Sequence, residues 1–315
     1  MNKIFCICIS IAANMKYSIS LLTCLLITTF WHTSNAQTNW HPEKGKKYII
    51  LSEQSKSRVA IADIAARRIV WEWRPSVRPD IKPEHAKWFE AMSDAKPVEN
   101  GKYILACASG GGVALIRVAD KKTMLYAYAG GNTHSVEQLP DRNIVSASST
   151  GNFMSIFVTT GKDDPEQTVR KDFYLHDGHN LVWDKKKKRL YTVSRDQLKT
   201  YNYNANKNNP AFILIDSVAM PDNGAHDLYR AYNKDALWLS AHSAIFKVDV
   251  QSKKAEKVNT RFGENIKSVS SGPQGYPTII IRPKEKWWTD EVLDIEGNSI
   301  FKQQGLKIYK ARWLL

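Results

Sequence analysis

Three histidines recur at near-equal spacing: His134 opens His-Ser-Val, His179 opens His-Asn-Leu-Val-Trp, and His226 opens His-Asp-Leu, at intervals of 45 and 47 residues. Imidazoles at equivalent positions of a repeat meet wherever the repeats close around a common axis. There they can move protons near neutral pH, hold an anion or ligate a metal ion. The same register adds Asp94 with Lys96, Lys267 and Arg312. Fixed cations among imidazoles suit a carboxylate-bearing ligand. They oppose a divalent cation, so no metal ligand is assigned. A transition metal held by the imidazoles with Asp94, Asp227 or Glu264 stays as the lesser alternative. The plain alternative to all of these is that each histidine bonds a neighbouring repeat or a buried water and was copied by duplication.

Two reactions would fit such a cluster. A polysaccharide lyase removes the proton beside a uronate carboxylate, which requires a cation on the carboxylate and a base on the proton; His134, His179 and His226 supply candidate bases, and Lys267, Arg312 and Arg195 candidate cations. Glycoside hydrolysis needs paired carboxylates. Asp94, Asp227, Glu264, Asp290 and Glu291 are available, but no spacing demands that any two pair.

The elements that must position these residues are short runs rich in Val, Ile, Tyr, Trp and Thr between Gly, Asn, Asp and Pro turns, with no long 3.6-residue period. After His134 come a turn at Leu139–Asn143 and strands at Ile144–Ala147 and Phe153–Val158. After His179 the strands fall near Leu190–Val193 and Lys199–Tyr203, and after His226 near Ala236–Ser240 and Ala244–Val250. Extending the register gives Tyr103–Ala106 and Val113–Val118 on one side, and Thr278–Ile281 and Val292–Ile295 on the other. The first unit, Lys47–Leu51, Arg58–Ile64 and Ile69–Trp73, lacks a first strand, while Ile308–Trp313 is one left over. Four short strands per unit and a period in the forties predict an all-β, six-bladed β-propeller whose ring is closed by the C-terminal strand. Closure leaves no open sheet end.

In a propeller the loop entering each inner strand and the loop between second and third strands share one face. Asp94, Lys96, His134, His179, His226, Lys267 and Arg312 are therefore expected at the channel mouth. Gln54, Gly110–Gly112, Ser149, Arg195, His242 and the segment Lys284–Trp288 are expected as its wall. Of Trp287 and Trp288, one is expected to close a blade core and the other to stack on a sugar ring. Gly110–Gly112 follows no phosphate-loop context, and is expected to keep the rim open by lacking side chains. The basic run Lys185–Arg189 falls on the opposite face as a solvated turn, and no nucleic-acid role is assigned to it.

Met15 to Gln37 has the layout of a secretory signal peptide: Lys16, an apolar stretch from Ile19 to Trp31, then Ser34 and Ala36. Cleavage after Ala36 is expected, with Met15 as the true start and residues 37–315 as a single propeller domain. A lipoprotein anchor at Cys24 is the lesser alternative. Cleavage would remove Cys6, Cys8 and Cys24, leaving Cys107 with no disulfide partner. The net charge of +14, 43% hydrophobic and 10% aromatic residues describe a folded, basic chain. No stretch after the leader is apolar for long enough to span a bilayer. The expected product is a periplasmic or secreted monomer.

The chain resembles a family of exported bacterial β-propeller proteins of unassigned function from glycan-degrading Gram-negative bacteria. The resemblance lies in Trp71-Glu-Trp73, Lys96-Pro97, Ala108-Ser-Gly-Gly-Gly-Val-Ala-Leu-Ile-Arg117, Tyr126 through Ser135, Gly178-His179, His226-Asp-Leu228, Glu285 through Val292 and Tyr309-Lys-Ala-Arg-Trp313. It implies the fold and the setting and brings no catalytic assignment. A second likeness, to oligogalacturonate lyases and propeller rhamnosidases, rests on His134, His179 and His226 alone and is an analogy of fold. The expected function is binding, with cleavage as its extension, of an acidic, uronate-containing glycan or another small anion. His134, His179 and His226 would be the acid/base groups. Asp94, Lys96, Lys267, Arg312, Arg195, His242, Lys284, Trp287 and Trp288 would contact the ligand. A non-catalytic glycan-binding or protein-interaction propeller is the alternative.

Overall fold

Alternation with a period of two sorts each strand's side chains between two neighbouring sheets. In Tyr103–Ala108, Ile104, Ala106 and Ala108 join one apolar cluster while Leu105 and Cys107 join the next. A computed structural model describes residues 39–159 and 168–315. The leader expected over residues 1–36, its cleavage site and the Met15 start lie outside them.

The strands form six four-stranded antiparallel sheets arranged as a six-bladed β-propeller. Blade 1 contains β1 (Tyr48–Glu53), β2 (Arg58–Asp63) and β3 (Arg68–Trp73), and its inner strand is β24 (Ile308–Trp313), paired antiparallel to β1. Blade 2 is β4 (Met92–Val98), β5 (Tyr103–Ala108), β6 (Gly112–Arg117) and β7 (Thr123–Tyr128). Blade 3 is β8 (Thr133–Gln138), β9 (Ile144–Ser148), β10 (Phe153–Thr159) and β11 (Thr168–Tyr174). Blade 4 is β12 (Val182–Asp184), β13 (Arg189–Ser194), β14 (Gln197–Tyr203) and β15 (Phe212–Ala219). Blade 5 is β16 (Asp227–Arg230), β17 (Ala236–Ser240), β18 (Ile245–Asp249) and β19 (Ala255–Lys257), and blade 6 is β20 (Ser268–Ser270), β21 (Ile279–Ile281), β22 (Glu291–Asp294) and β23 (Ser299–Lys302). The ring closes through the C-terminal strand, as the repeat count predicts.

Six apolar clusters fill the six interfaces between blades. Indole hydrogen bonds add to the packing: Trp71 donates to the Val118 carbonyl at 2.8 Å and Trp73 to Thr123 Oγ1 at 3.1 Å, joining blade 1 to blade 2.

One departure from the repeat lies between β3 and β4, where Pro75–Val77 and Pro83–Phe89 form short 3-10 helices. This insertion explains Gly110–Gly112. A Cβ on Gly110 would stand 2.8 Å from the Lys87 and Trp88 carbonyl oxygens, and one on Gly112 2.8 Å from the Phe89 ring. The glycines admit the inserted segment against the β5–β6 loop, and do not keep the rim open as the sequence reading expected.

Candidate functional site at the channel mouth

The inner strands carry the site, and their irregularities decide its depth. β8 has a bulge at His134: Thr133 pairs with Ser148 and Ser135 with Ala147. β4 and β24 carry the same irregularity at Ser93 and Tyr309. A bulge inserts an extra residue and re-aims the side chains beside it. The positions matching His134 are therefore Ser93 and Tyr309, followed around the ring by His179, His226 and Lys267. Asp94, Lys96 and Arg312 lie one or more residues further into their strands. They are fully or almost fully buried beneath the mouth, which corrects their expected place on its rim.

That lower layer is a closed ionic network. The Arg312 guanidinium donates to both Asp227 oxygens at 2.6 and 2.7 Å and to Asp94 Oδ1 at 3.3 Å. Lys310 Nζ lies 3.2 Å from Asp227 and 3.9 Å from Asp94. Lys96 Nζ stands 3.6 Å from Asp94 and 3.5 Å from Glu137, and donates to the Leu181 carbonyl at 2.7 Å. The Tyr229 ring covers Arg312, 4.1 Å from its centroid to Cζ. Burial alone would raise the Asp227 and Asp94 carboxyls, but Arg312 and Lys310 overcome it and hold both below the usual carboxylate range. The same acids push the Arg312 guanidinium up against the opposing effect of burial. Fixed as anions and buried beneath the mouth, Asp94 and Asp227 hold no proton to give as a general acid.

Above this floor the three imidazoles converge. His134 and His179 stack with centroids 4.8 Å apart and planes 16° apart, and His179 meets His226 edge-on at 5.8 Å. Tyr309 flanks His134 at 5.7 Å. The arc ends at Lys267, whose Nζ lies 3.0 Å from His226 Nε2. A lysine ammonium has no lone pair, so it donates to Nε2 and leaves the His226 proton on Nδ1. That Nδ1 is buried with no hydrogen-bond partner, as is Nδ1 of His134. His179 is fixed in the other sense: its Nδ1 faces the Asp177 carbonyl at 3.2 Å and a carboxylate oxygen of Asp177 at 3.3 Å, which leaves the Nε2 lone pair free.

The electrostatics of this upper layer are one-sided. Burial, then neighbouring His179 and Lys310, push His134 well below the ordinary histidine range. Burial and the adjacent Lys267 ammonium take His226 down to about 3, and burial lowers His179 despite Asp177. Burial and the Lys310 charge bring Lys267 down to about 8. No carboxylate among the described residues stands within ion-pair distance of Lys267. Three neutral imidazoles and an uncompensated ammonium thus face the mouth. No group of three or more His, Cys, Asp or Glu among the described residues is disposed to hold a metal ion.

The wall residues divide. His242 joins His226, Ser243, Glu264, Asn265, Arg282 and Pro283 around an open cavity of about 460 Å³, which reaches the imidazole cluster only at His226. Arg195 is the exposed apex of the β13–β14 turn, with a left-handed φ of 57°, and touches none of the three histidines. Lys284 is neutralised locally by Asp290 at 2.8 Å and Glu291 at 2.6 Å. Trp287 is 48% exposed and donates its indole N–H to Gln54 at 3.0 Å, while Trp288 is half-buried beneath Lys307. Cys107 is fully buried and its thiol is pushed up to about 12, so it is no nucleophile. The sequence reading missed Lys310, Tyr309, Glu137 and Tyr229. The Lys310 signal was present, since residues two apart in a strand share a face and Arg312 follows it.

A family model, described as a family of unknown function (DUF6528), matches residues 14–315. The chain belongs to that family. DUF6528 membership covers all six blades and carries no activity with it. Among solved structures, a protein of unknown function from Bacteroides caccae is similar at 13% identity with a TM-score of 0.56, over 85% of this chain and 98% of that one. Matches of this kind extend to 1273 chains, as a widely reused architecture would give, and they show the fold alone. None of the curated proteins compared matches this DUF6528 chain. No described helix is long and apolar enough to cross a membrane.

Proposed function

We propose that the mouth binds a carboxylate-bearing sugar, the acidic unit of a uronate-containing glycan, as an exported binding protein. The observation that carries this reading is Lys267: an almost fully buried ammonium with a histidine and a lysine for neighbours and, among the described residues, no acid to balance it. Unpaired buried charge is costly. A ligand carboxylate seated beside Lys267 Nζ would offset that cost. Trp287, exposed on the same face, offers an apolar platform for the sugar ring.

The test is a titration with trigalacturonate. Binding is expected, and to weaken above pH 8, where Lys267 gives up its proton. It should strengthen below pH 6, because a bound carboxylate raises the imidazole pKa values and binding then takes up protons. Affinity independent of pH between 5 and 9 would count against the site.

One observation favours cleavage as a second reading. Asp177 holds His179 with its Nε2 lone pair available, the arrangement of an oriented general base. A lyase would generate the absorbance of an unsaturated uronate, and His179→Ala would abolish it while leaving trigalacturonate bound. Binding without that absorbance assigns the protein to glycan recognition alone.

A further inference from the structure

On the face away from the imidazoles, the β8–β9 and β12–β13 turns of blades 3 and 4 enclose an open cavity of about 530 Å³. That volume lies within the usual span of roughly 300–1,000 Å³ for small-molecule sites. Its lining combines Leu139, Trp183 and Tyr203 with three exposed cations, Arg142, Lys185 and Lys188, and one acid, Glu99. None of the three cations has a carboxylate within ion-pair distance among the described residues, whereas Lys186 of the same run pairs with Asp235 at 3.3 Å.

Two further features distinguish this cavity from a solvated basic turn. The Tyr203 ring is pinned, its hydroxyl donating to Asp141 at 2.6 Å and accepting from the buried Asn143 amide at 3.1 Å. Trp183 is 4% exposed, yet its indole N–H has no acceptor among the described residues. The other strand tryptophans, Trp71, Trp73, Trp238 and Trp313, all donate to an oxygen. The Trp183 N–H is not among the buried polar atoms left without a partner, so it opens on the cavity as a donor that solvent or a ligand can reach.

We propose that this cavity is a second anion site, taking a carboxylate-bearing ring of mono- to disaccharide size. The ring face lies on Tyr203, and the acid is held by Arg142, Lys185 and Lys188 with an oxygen accepting from the Trp183 N–H. An acidic sugar and an aromatic carboxylate share that chemistry.

The experiment is calorimetric titration of the full chain carrying Lys267→Met, so that the mouth is disabled, with digalacturonate and with phenylacetate at low salt. One saturable site is expected for at least one probe, and the probe that binds tells the sugar from the aromatic acid. Arg142→Ala/Lys185→Ala/Lys188→Ala should remove the binding. Trp183→Phe, which keeps a ring and loses the donor, should weaken it about tenfold. Absence of saturable binding by both probes, or binding unchanged in the triple variant, would overturn the proposal. If the mouth reading alone is wrong, Lys267→Met changes nothing in the intact chain while the triple variant still abolishes binding here.

Discussion

The floor and the mouth of the channel are built from polar residues one to three positions apart on the same inner strands, yet they balance charge in opposite ways. On the floor, Asp94, Asp227 and Glu137 answer Lys96, Lys310 and Arg312 within 4 Å. At the mouth, Lys267 meets imidazoles, and nothing in the described chain neutralises it. A matched buried network ties blades 1, 2, 3 and 5 together across the axis. An unmatched one costs stability unless something from outside completes it, which is why function is assigned to the mouth and structure to the floor.

The largest effect should come from unbalancing the floor. Asp227→Asn leaves Arg312 and Lys310 to share Asp94, at 3.3 and 3.9 Å, and breaking a buried ion pair costs about 3–5 kcal/mol. The denaturant midpoint should fall accordingly, and Asp227→Asn/Arg312→Met should recover part of the loss. A double variant less stable than either single one would show that the network is not the unit described.

Lys267→Met should act in the opposite direction. Because the folded-state pKa of Lys267 lies near 8, below its ordinary 10.5, the unfolded chain binds the extra proton between those values. Stability of the native protein should therefore rise with pH across that window, and the variant should be more stable at pH 7 and lack the rise. A destabilised Lys267→Met would erase the contrast between the two layers.

His226 extends the test to acid. Its folded pKa near 3, against an ordinary 6.5, means that the unfolded state binds more protons between pH 6.5 and 3. Stability should fall as pH falls through that range, beginning above the carboxylate region, and His226→Gln should flatten the upper part of the slope. The smallest expected effect is that of Trp287→Ala, a loss of about 1 kcal/mol in glycan affinity with an unchanged melting temperature. Trp288→Ala, half-buried under Lys307, should instead lower stability.

The fold was legible because its signals are local and repeated. The β17 and β24 bounds, Ala236–Ser240 and Ile308–Trp313, follow directly from apolar runs between turns, and the leftover last strand predicted the closure. The convergence of His134, His179 and His226 was legible for the same reason. What the pattern could not supply was depth: bulges at Ser93 and Tyr309 shift the register by one, and they moved Asp94, Lys96 and Arg312 from the rim to the floor. Nor could spacing reveal compensation. Lys284 and Lys267 look alike in sequence, but two acids close to Lys284 in the fold neutralise it, whereas no carboxylate among the described residues reaches Lys267.

The most direct measurement is the affinity of trigalacturonate for a chain whose Arg142, Lys185 and Lys188 are alanine, so that only the mouth responds, compared with the same chain carrying Lys267→Met. Saturable binding in the first and a loss of at least about tenfold in the second is the expected result, the scale of losing one charge-assisted contact. Equal affinity in the two chains would contradict the assignment of the uncompensated ammonium to an anionic ligand.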